Sequence, residues 1–131
     1  MEGKKILVVD DEPEFLEVAK IRLTASGYDV ITASDGREAI NKIKKEKPDA
    51  VLLDIVMPEY GGLSVLKRIR RIDKNLPIFI MTAFSNEDKF ELAKKLDASG
   101  FIVKTSDLKK EIANITSFLR VSKGYKKSQD Q

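Results

Sequence analysis

The sequence has no cysteine and no histidine among its 131 residues. The first absence excludes a disulfide scaffold, a thiolate zinc site and a cysteine nucleophile. The second excludes a Ser-His-Asp triad, an imidazole-ligated metal and a phosphohistidine carried by the chain itself. Long apolar runs are missing too. The longest clean ones, Ile6 to Val9 and Ile78 to Met81, fall far short of the ~20 residues a membrane span needs. The opening Met1-Glu2-Gly3-Lys4-Lys5 leads into too few apolar residues for a secretory signal, so the cytoplasm is the expected location. Any chemistry must come from carboxylates, hydroxyls, lysines and a bound metal.

What is present fits one ordinary folded domain. Hydrophobic residues make up 42% of the chain and charged residues 34%, a globular rather than a disordered balance. The net charge is +3, part of it from Lys123, Lys126 and Lys127 near the C-terminus. Nucleic acid binding would call for a basic stripe on one element. The Lys-rich helices read instead as solvated faces, and no direct nucleic acid contact is expected.

Short apolar runs alternate with amphipathic stretches five times. Lys5 to Val9 is the first strand, and a helix runs from about Glu14 to Ser26, with Phe15, Ala19 and Leu23 inward and Gly27 as its stop. Tyr28 to Thr32 is the second strand. Asp35 and Glu38 have capping-box spacing ahead of a second helix that buries Ala39, Ile40 and Ile43 and ends by Pro48. Ala50 to Leu53 is the third strand, running into Asp54; Leu63, Leu66 and Ile69 face inward on a third helix. Pro77 opens the fourth strand, Ile78 to Met81, with Thr82 next. Ser85 and Asp88 could cap a fourth helix with Phe90 and Ala93 inward. Phe101 to Val103 is the fifth strand, followed by Lys104 and a last helix capped by Thr105 or Ser106 and carrying Leu108, Ile112, Ile115 and Leu119. Residues 1–121 form the domain and 122–131 a polar, basic tail or linker.

Apolar strands alternating with helices imply an α/β fold: a doubly wound parallel five-stranded sheet, flavodoxin-like, (βα)5, with strand order 2-1-3-4-5. In such sheets ligands sit outside the carboxyl ends of the strands where the order reverses, here between strands one and three. Asp10-Asp11-Glu12 ends strand one, Asp54 strand three, Thr82 strand four and Lys104 strand five. Singly, each has an ordinary explanation. Acids before a helix cap its N–H groups, and Asp54 before a turn is turn chemistry. Jointly they are harder to dismiss, because clustered carboxylates repel unless a cation compensates. An all-oxygen site suits Mg²⁺. A metal, a carboxylate nucleophile, an ammonium and a hydroxyl are the parts of phosphoryl transfer.

Four segments, Ile6-Leu-Val-Val-Asp-Asp-Glu12, Val51-Leu-Leu-Asp-Ile-Val-Met-Pro58 with Gly61-Gly62, Ile78-Phe-Ile-Met-Thr-Ala83 and Gly100-Phe-Ile-Val-Lys104, stand in order at strand ends. With them the sequence resembles the receiver domains of bacterial two-component response regulators, of the single-domain, CheY-like kind, from Lys4 to about Leu119. The resemblance implies that Asp54 is the phosphoacceptor. It implies that Asp11 and Asp54 ligate Mg²⁺ (Mn²⁺ can substitute), with Asp10 acting through water and the Val56 backbone carbonyl completing the protein ligands. Lys104 would pair with a phosphoryl oxygen, Thr82 would donate its hydroxyl to another, and Phe101 would be the aromatic switch that turns inward. The implied partners are a sensor histidine kinase or histidine phosphotransfer protein, and a downstream protein at the helix 4–strand 5–helix 5 surface, with the chain a monomer or a phosphorylation-dependent dimer. It would be a signalling phosphoacceptor and not an enzyme acting on external substrates.

The chain departs from the family at Thr105, where proline usually follows the lysine. A cis bond before a non-proline residue costs ~3 kcal/mol, which leaves the presentation of Lys104 open. Val56 and Phe84, two residues after Asp54 and Thr82, are apolar. Neither can position a hydrolytic water by hydrogen bonding, so self-dephosphorylation is expected to be slow. Two other readings compete. One is a metal-dependent phosphohydrolase, disfavoured because Ile55-Val56 replace the Asp-x-Asp pattern of haloacid-dehalogenase-like enzymes. The other is a receiver-like binding module that takes no phosphate, which loss of an acid, the threonine or the lysine would have signalled.

Overall fold

The computed structural model describes residues 4–54, 61–82 and 98–103, with single positions at 91, 95 and 113. The chain alternates β1 (Lys5–Val9), α1 (Pro13–Ala25), β2 (Asp29–Ala33), α2 (Gly36–Glu46), β3 (Ala50–Asp54), α3 (Gly61–Ile72), β4 (Ile78–Thr82) and β5 (Gly100–Val103). The expected fourth and last helices and the tail at 122–131 lie outside the described residues.

The five strands form one parallel sheet in the order β2-β1-β3-β4-β5, as the sequence predicts. Strand residues alternate between two cores. Leu7, Val9, Val51, Leu53, Ile78 and Ile80 face Ala39, Ile43, Leu66 and Ile69 of α2 and α3. Ile6, Val8, Leu52, Phe79 and Met81 face Phe15, Ala19 and Leu23 of α1. Both faces are therefore dry, which is why these strands read as unbroken apolar runs.

The helix ends show how the sequence positions these layers. At the end of α1 the Tyr28 N–H donates to the Leu23 carbonyl (3.1 Å) and the Gly27 N–H to the Thr24 carbonyl (3.0 Å). This is a Schellman closure, and it needs the positive φ of 102° that Gly27 takes without a Cβ clash. Tyr28 thus still belongs to the helix closure. The β2 ladder starts one residue later than the sequence suggests, with Asp29 N–H donating to Lys4 (2.9 Å). At the start of α2 the Glu38 N–H donates to Asp35 Oδ1 (2.8 Å), the expected cap. α2 closes at Lys47, which takes a left-handed conformation (φ 50°) just before Pro48.

Candidate functional site

The carboxyl ends of β1 and β3 meet at the switch point. Val9 pairs with Leu53, so Asp10 stands beside Asp54. Asp10 lies just past β1, yet its N–H still donates to Ala33 of β2 (3.1 Å), so the backbone there remains in the ladder. The period of two puts Asp10 in phase with Ile6 and Val8, and Asp54 in phase with Ala50 and Leu52, on the α1 side. Asp54 is itself a strand residue, paired with Met81 of β4, one residue beyond the Leu53 end that the apolar run predicts.

Among the buried residues described, Asp10 (0% exposed) and Asp54 (4%) are the only charged ones. Asp11 and Glu12 are exposed at the mouth. Each of the four offers a carboxylate oxygen, and these oxygens lie within 4.8 Å of one another. The local fold explains how they converge. Pro13 begins α1 with no N–H that would need an acceptor. Glu12 is the N-cap, but its side chain makes no capping bond. Asp10 Oδ1 instead accepts from the Glu12 N–H (2.9 Å), closing the β1–α1 turn so that Asp11 and Glu12 project over the strand ends. The capping reading for Asp10 thus holds in part: it ties a backbone N–H ahead of the helix while sharing the cluster with Asp54.

The donor set is all carboxylate oxygen, the set a hard divalent ion takes. Ligands on opposite sides of Mg²⁺ lie about 4.2 Å apart at a Mg–O distance of ~2.1 Å. A cluster confined within 4.8 Å is of that size. Neighbouring anions also repel, and a divalent cation removes that cost. The residues present therefore fit a metal of the Mg²⁺ kind.

Of the residues singled out from the sequence, Asp10, Asp11 and Asp54 are brought together here. Thr82 ends β4, one residue beyond the partner of Asp54, and pairs with Val103. Phe101 pairs with Ile80, about two residues below that rim. Val56, Phe84 and Lys104, and with it the Lys104–Thr105 peptide, lie outside the described residues. Glu12 was seen in the sequence only as part of an acidic strand end. Its place in the cluster follows from the turn that Asp10 closes, which a linear reading does not show.

A family model described as response regulator receiver domain matches residues 6–116. The chain is 40% identical over 120 residues to the alkaline phosphatase synthesis transcriptional regulatory protein PhoP of Bacillus subtilis, covering 92% of this chain and 50% of that protein. It spans about half the length of the curated relatives it matches. Among solved structures it is similar to chemotaxis protein CheY4 of Vibrio cholerae (TM-score 0.80, 30% identity, covering 88% of this chain and 98% of that one). It is also similar to response regulator TrrA of Thermotoga maritima, solved in complex with Mg(2+)-BeF (TM-score 0.74, 36% identity, covering 87% and 97%). Among the described residues no helix is long and apolar enough to cross a membrane.

Proposed function

The chain belongs to the response regulator receiver domain family, and on that premise we propose that it accepts a phosphoryl group on Asp54 in a Mg²⁺-dependent step and thereby switches a protein-binding surface. The observation that carries this reading is the cluster itself: a buried Asp54 at the end of β3, with the oxygens of Asp10, Asp11 and Glu12 within 4.8 Å. An Asp54 oxygen attacks phosphorus, forming an O–P bond as the bond to the donor's histidine nitrogen breaks. Asp10, Asp11, Glu12 and Asp54 would hold Mg²⁺, which when bound would offset charge on the phosphoryl oxygens. Asp10 holds the turn, and Asp11 and Glu12 supply oxygens at its mouth. Lys104 and Thr82 take the role of partners to the remaining phosphoryl oxygens, and Phe101 follows them.

The donor is a sensor histidine kinase or a histidine phosphotransfer protein in the cytoplasm. The new charge of roughly −1.5 to −2 redraws the helix 4–strand 5–helix 5 surface for a downstream protein. The chain catalyses only its own phosphorylation and dephosphorylation. The solved relative in complex with Mg(2+)-BeF supports the metal assignment by likeness.

Intact-mass spectrometry after incubation with acetyl phosphate tests the reading. A single phosphoryl adduct that forms with Mg²⁺, fails to form with EDTA and is lost in Asp54→Asn is the expected result. An adduct that survives in Asp54→Asn overturns the assignment. Followed over time, the adduct decays slowly, because apolar Val56 and Phe84 offer no hydrogen bond to a hydrolytic water. Rapid decay in Mg²⁺ buffer rejects that role for the two side chains.

A further inference from the structure

α2 and α3 cover the same face of the sheet, and their C-terminal ends enclose an open groove of about 380 Å³ with a floor of Ile43, Pro48, Ile72 and Leu76. The groove lies at the amino ends of the strands. Pro48 precedes β3 and Leu76 precedes β4, whereas Asp54 closes β3 at its other end. It is thus separated from the acidic cluster by the length of a strand, about 15 Å for five residues. Ile43 and Leu76 are 5% exposed, but Ile72 beside them is 43% exposed, one of two large apolar side chains so exposed among the described residues.

Lys44, Lys47 and one acid, Asp73, line the groove, and Lys45, Arg68, Arg71 and Lys74 are exposed on the same helices and the turn after α3. None of the six cations makes an ion pair with a described residue. α3 carries four cations and no acid over Gly61–Ile72. The nearby acids are engaged. Glu46 pairs with Lys5 (3.2 Å), Asp49 Oδ2 accepts from the Lys5 N–H (2.8 Å), and Asp73 Oδ1 accepts from the N–H groups of Asn75 (2.8 Å) and Leu76 (3.1 Å).

Against the six cations of these helices and the turn, the two helix C-termini contribute only about −0.5 charge each and Asp73 one negative charge, so cations prevail at this end of α2 and α3. Complementing the helix dipoles accounts for the lysines and arginines of the last turns. It does not account for an exposed isoleucine over an apolar floor between them.

We infer that this groove docks an acidic protein segment that anchors apolar side chains on Ile43, Ile72 and Leu76 and sets its carboxylates against Lys44, Lys47 and Arg68. Charge complementarity selects the acid, and the apolar floor selects a protein over a nucleic acid. A phosphate backbone would use the cations and leave Ile72 exposed to water. The site stands apart from Asp54, at the opposite ends of the strands.

The test is amide chemical-shift mapping on ¹⁵N-labelled protein with a short peptide of Asp and Glu carrying two leucines one helical turn apart. Its Leu→Ser counterpart and a short DNA duplex are the comparisons. The expected result is saturable shifts centred on Ile43, Lys44, Lys47, Ile72 and Leu76, with the Leu→Ser peptide weaker. Ile72→Gln leaves charge unchanged and removes a half-exposed anchor, so it weakens the leucine peptide about fivefold. Lys44→Glu combined with Lys47→Glu abolishes binding. Equal binding of both peptides, a preference for DNA insensitive to Ile72→Gln, or the absence of shifts at the groove each overturns the inference. Unchanged spectra of the variants away from the groove show that they remain folded.

Discussion

Asp10 serves two purposes with its two oxygens. It is fully buried, and Oδ1 is committed to the Glu12 N–H at 2.9 Å, which fixes the direction in which Asp11 and Glu12 leave β1. Its negative charge also stands among three other carboxylates. The two purposes separate by substitution. Asp10→Asn keeps an acceptor oxygen for Glu12 and removes one of four like charges. Mg²⁺ affinity, measured by calorimetry, should fall about 10- to 100-fold, while the metal-free protein melts no lower than wild type. Asp10→Ala loses the acceptor as well, leaving a backbone donor at the turn without it, at a cost of about 1 kcal/mol. Its melting temperature should therefore lie below that of Asp10→Asn. Equal melting temperatures for the two variants would mean that the turn does not depend on this bond.

At the scale of elements, α2 shows what spacing reveals and what it conceals. Asp35 and Glu38 announce a helix start, and the Asp35 cap forms. A full capping box would return the Glu38 side chain to the Asp35 N–H. Here Glu38 Oε2 reaches one residue further, to the N–H and hydroxyl of Ser34 (3.3 and 3.1 Å), because Lys42 holds its other oxygen at 3.1 Å. Lys42 also donates to the Thr32 carbonyl on β2, tying helix to strand. That tertiary link is invisible in a linear pattern. So is the Schellman closure that delays β2 to Asp29, although Gly27 itself marks the stop. Burial raises the Glu38 pKa, but the Lys42 and Ser34 hydrogen bonds outweigh it, and the net shift is below the ordinary 4.5. A depressed carboxylate contributes stability that is present above its unfolded value and lost as pH falls through its folded value. Glu38→Gln should therefore cost a few tenths of a kcal/mol near neutrality, the scale of a half-exposed i,i+4 pair. Thermal melts of wild type and variant should converge well below pH 4.5. A gap that persists into acid would place the effect in the amide's packing and not in charge.

Across the whole molecule, the two dry cores and the acidic cluster oppose one another. Parallel strands covered on both faces bring the ends of β1 and β3 together, and this forces Asp10 beside Asp54 away from water. The strand order was legible from the alternation of apolar runs and helices, and with it the convergence of Asp10, Asp11 and Asp54. Glu12 was not, because its position depends on how one turn closes. Nor was the groove between α2 and α3, since cations on two separate helices read singly as solvated faces. The mutual repulsion of the clustered carboxylates is a cost that a divalent cation offsets, so metal binding should appear as global stability. A ligand at 100 times its dissociation constant stabilises a protein that binds it only when folded by about 2.7 kcal/mol. For a domain of this size that corresponds to a rise in melting temperature on the order of 10 °C. Mg²⁺ should produce such a rise where NaCl at equal ionic strength does not. Asp11→Asn should reduce it by weakening the site, and Asp54→Asn, which removes a buried member of the cluster, should reduce it further. If Mg²⁺ and NaCl act alike, the four carboxylates do not form a metal site.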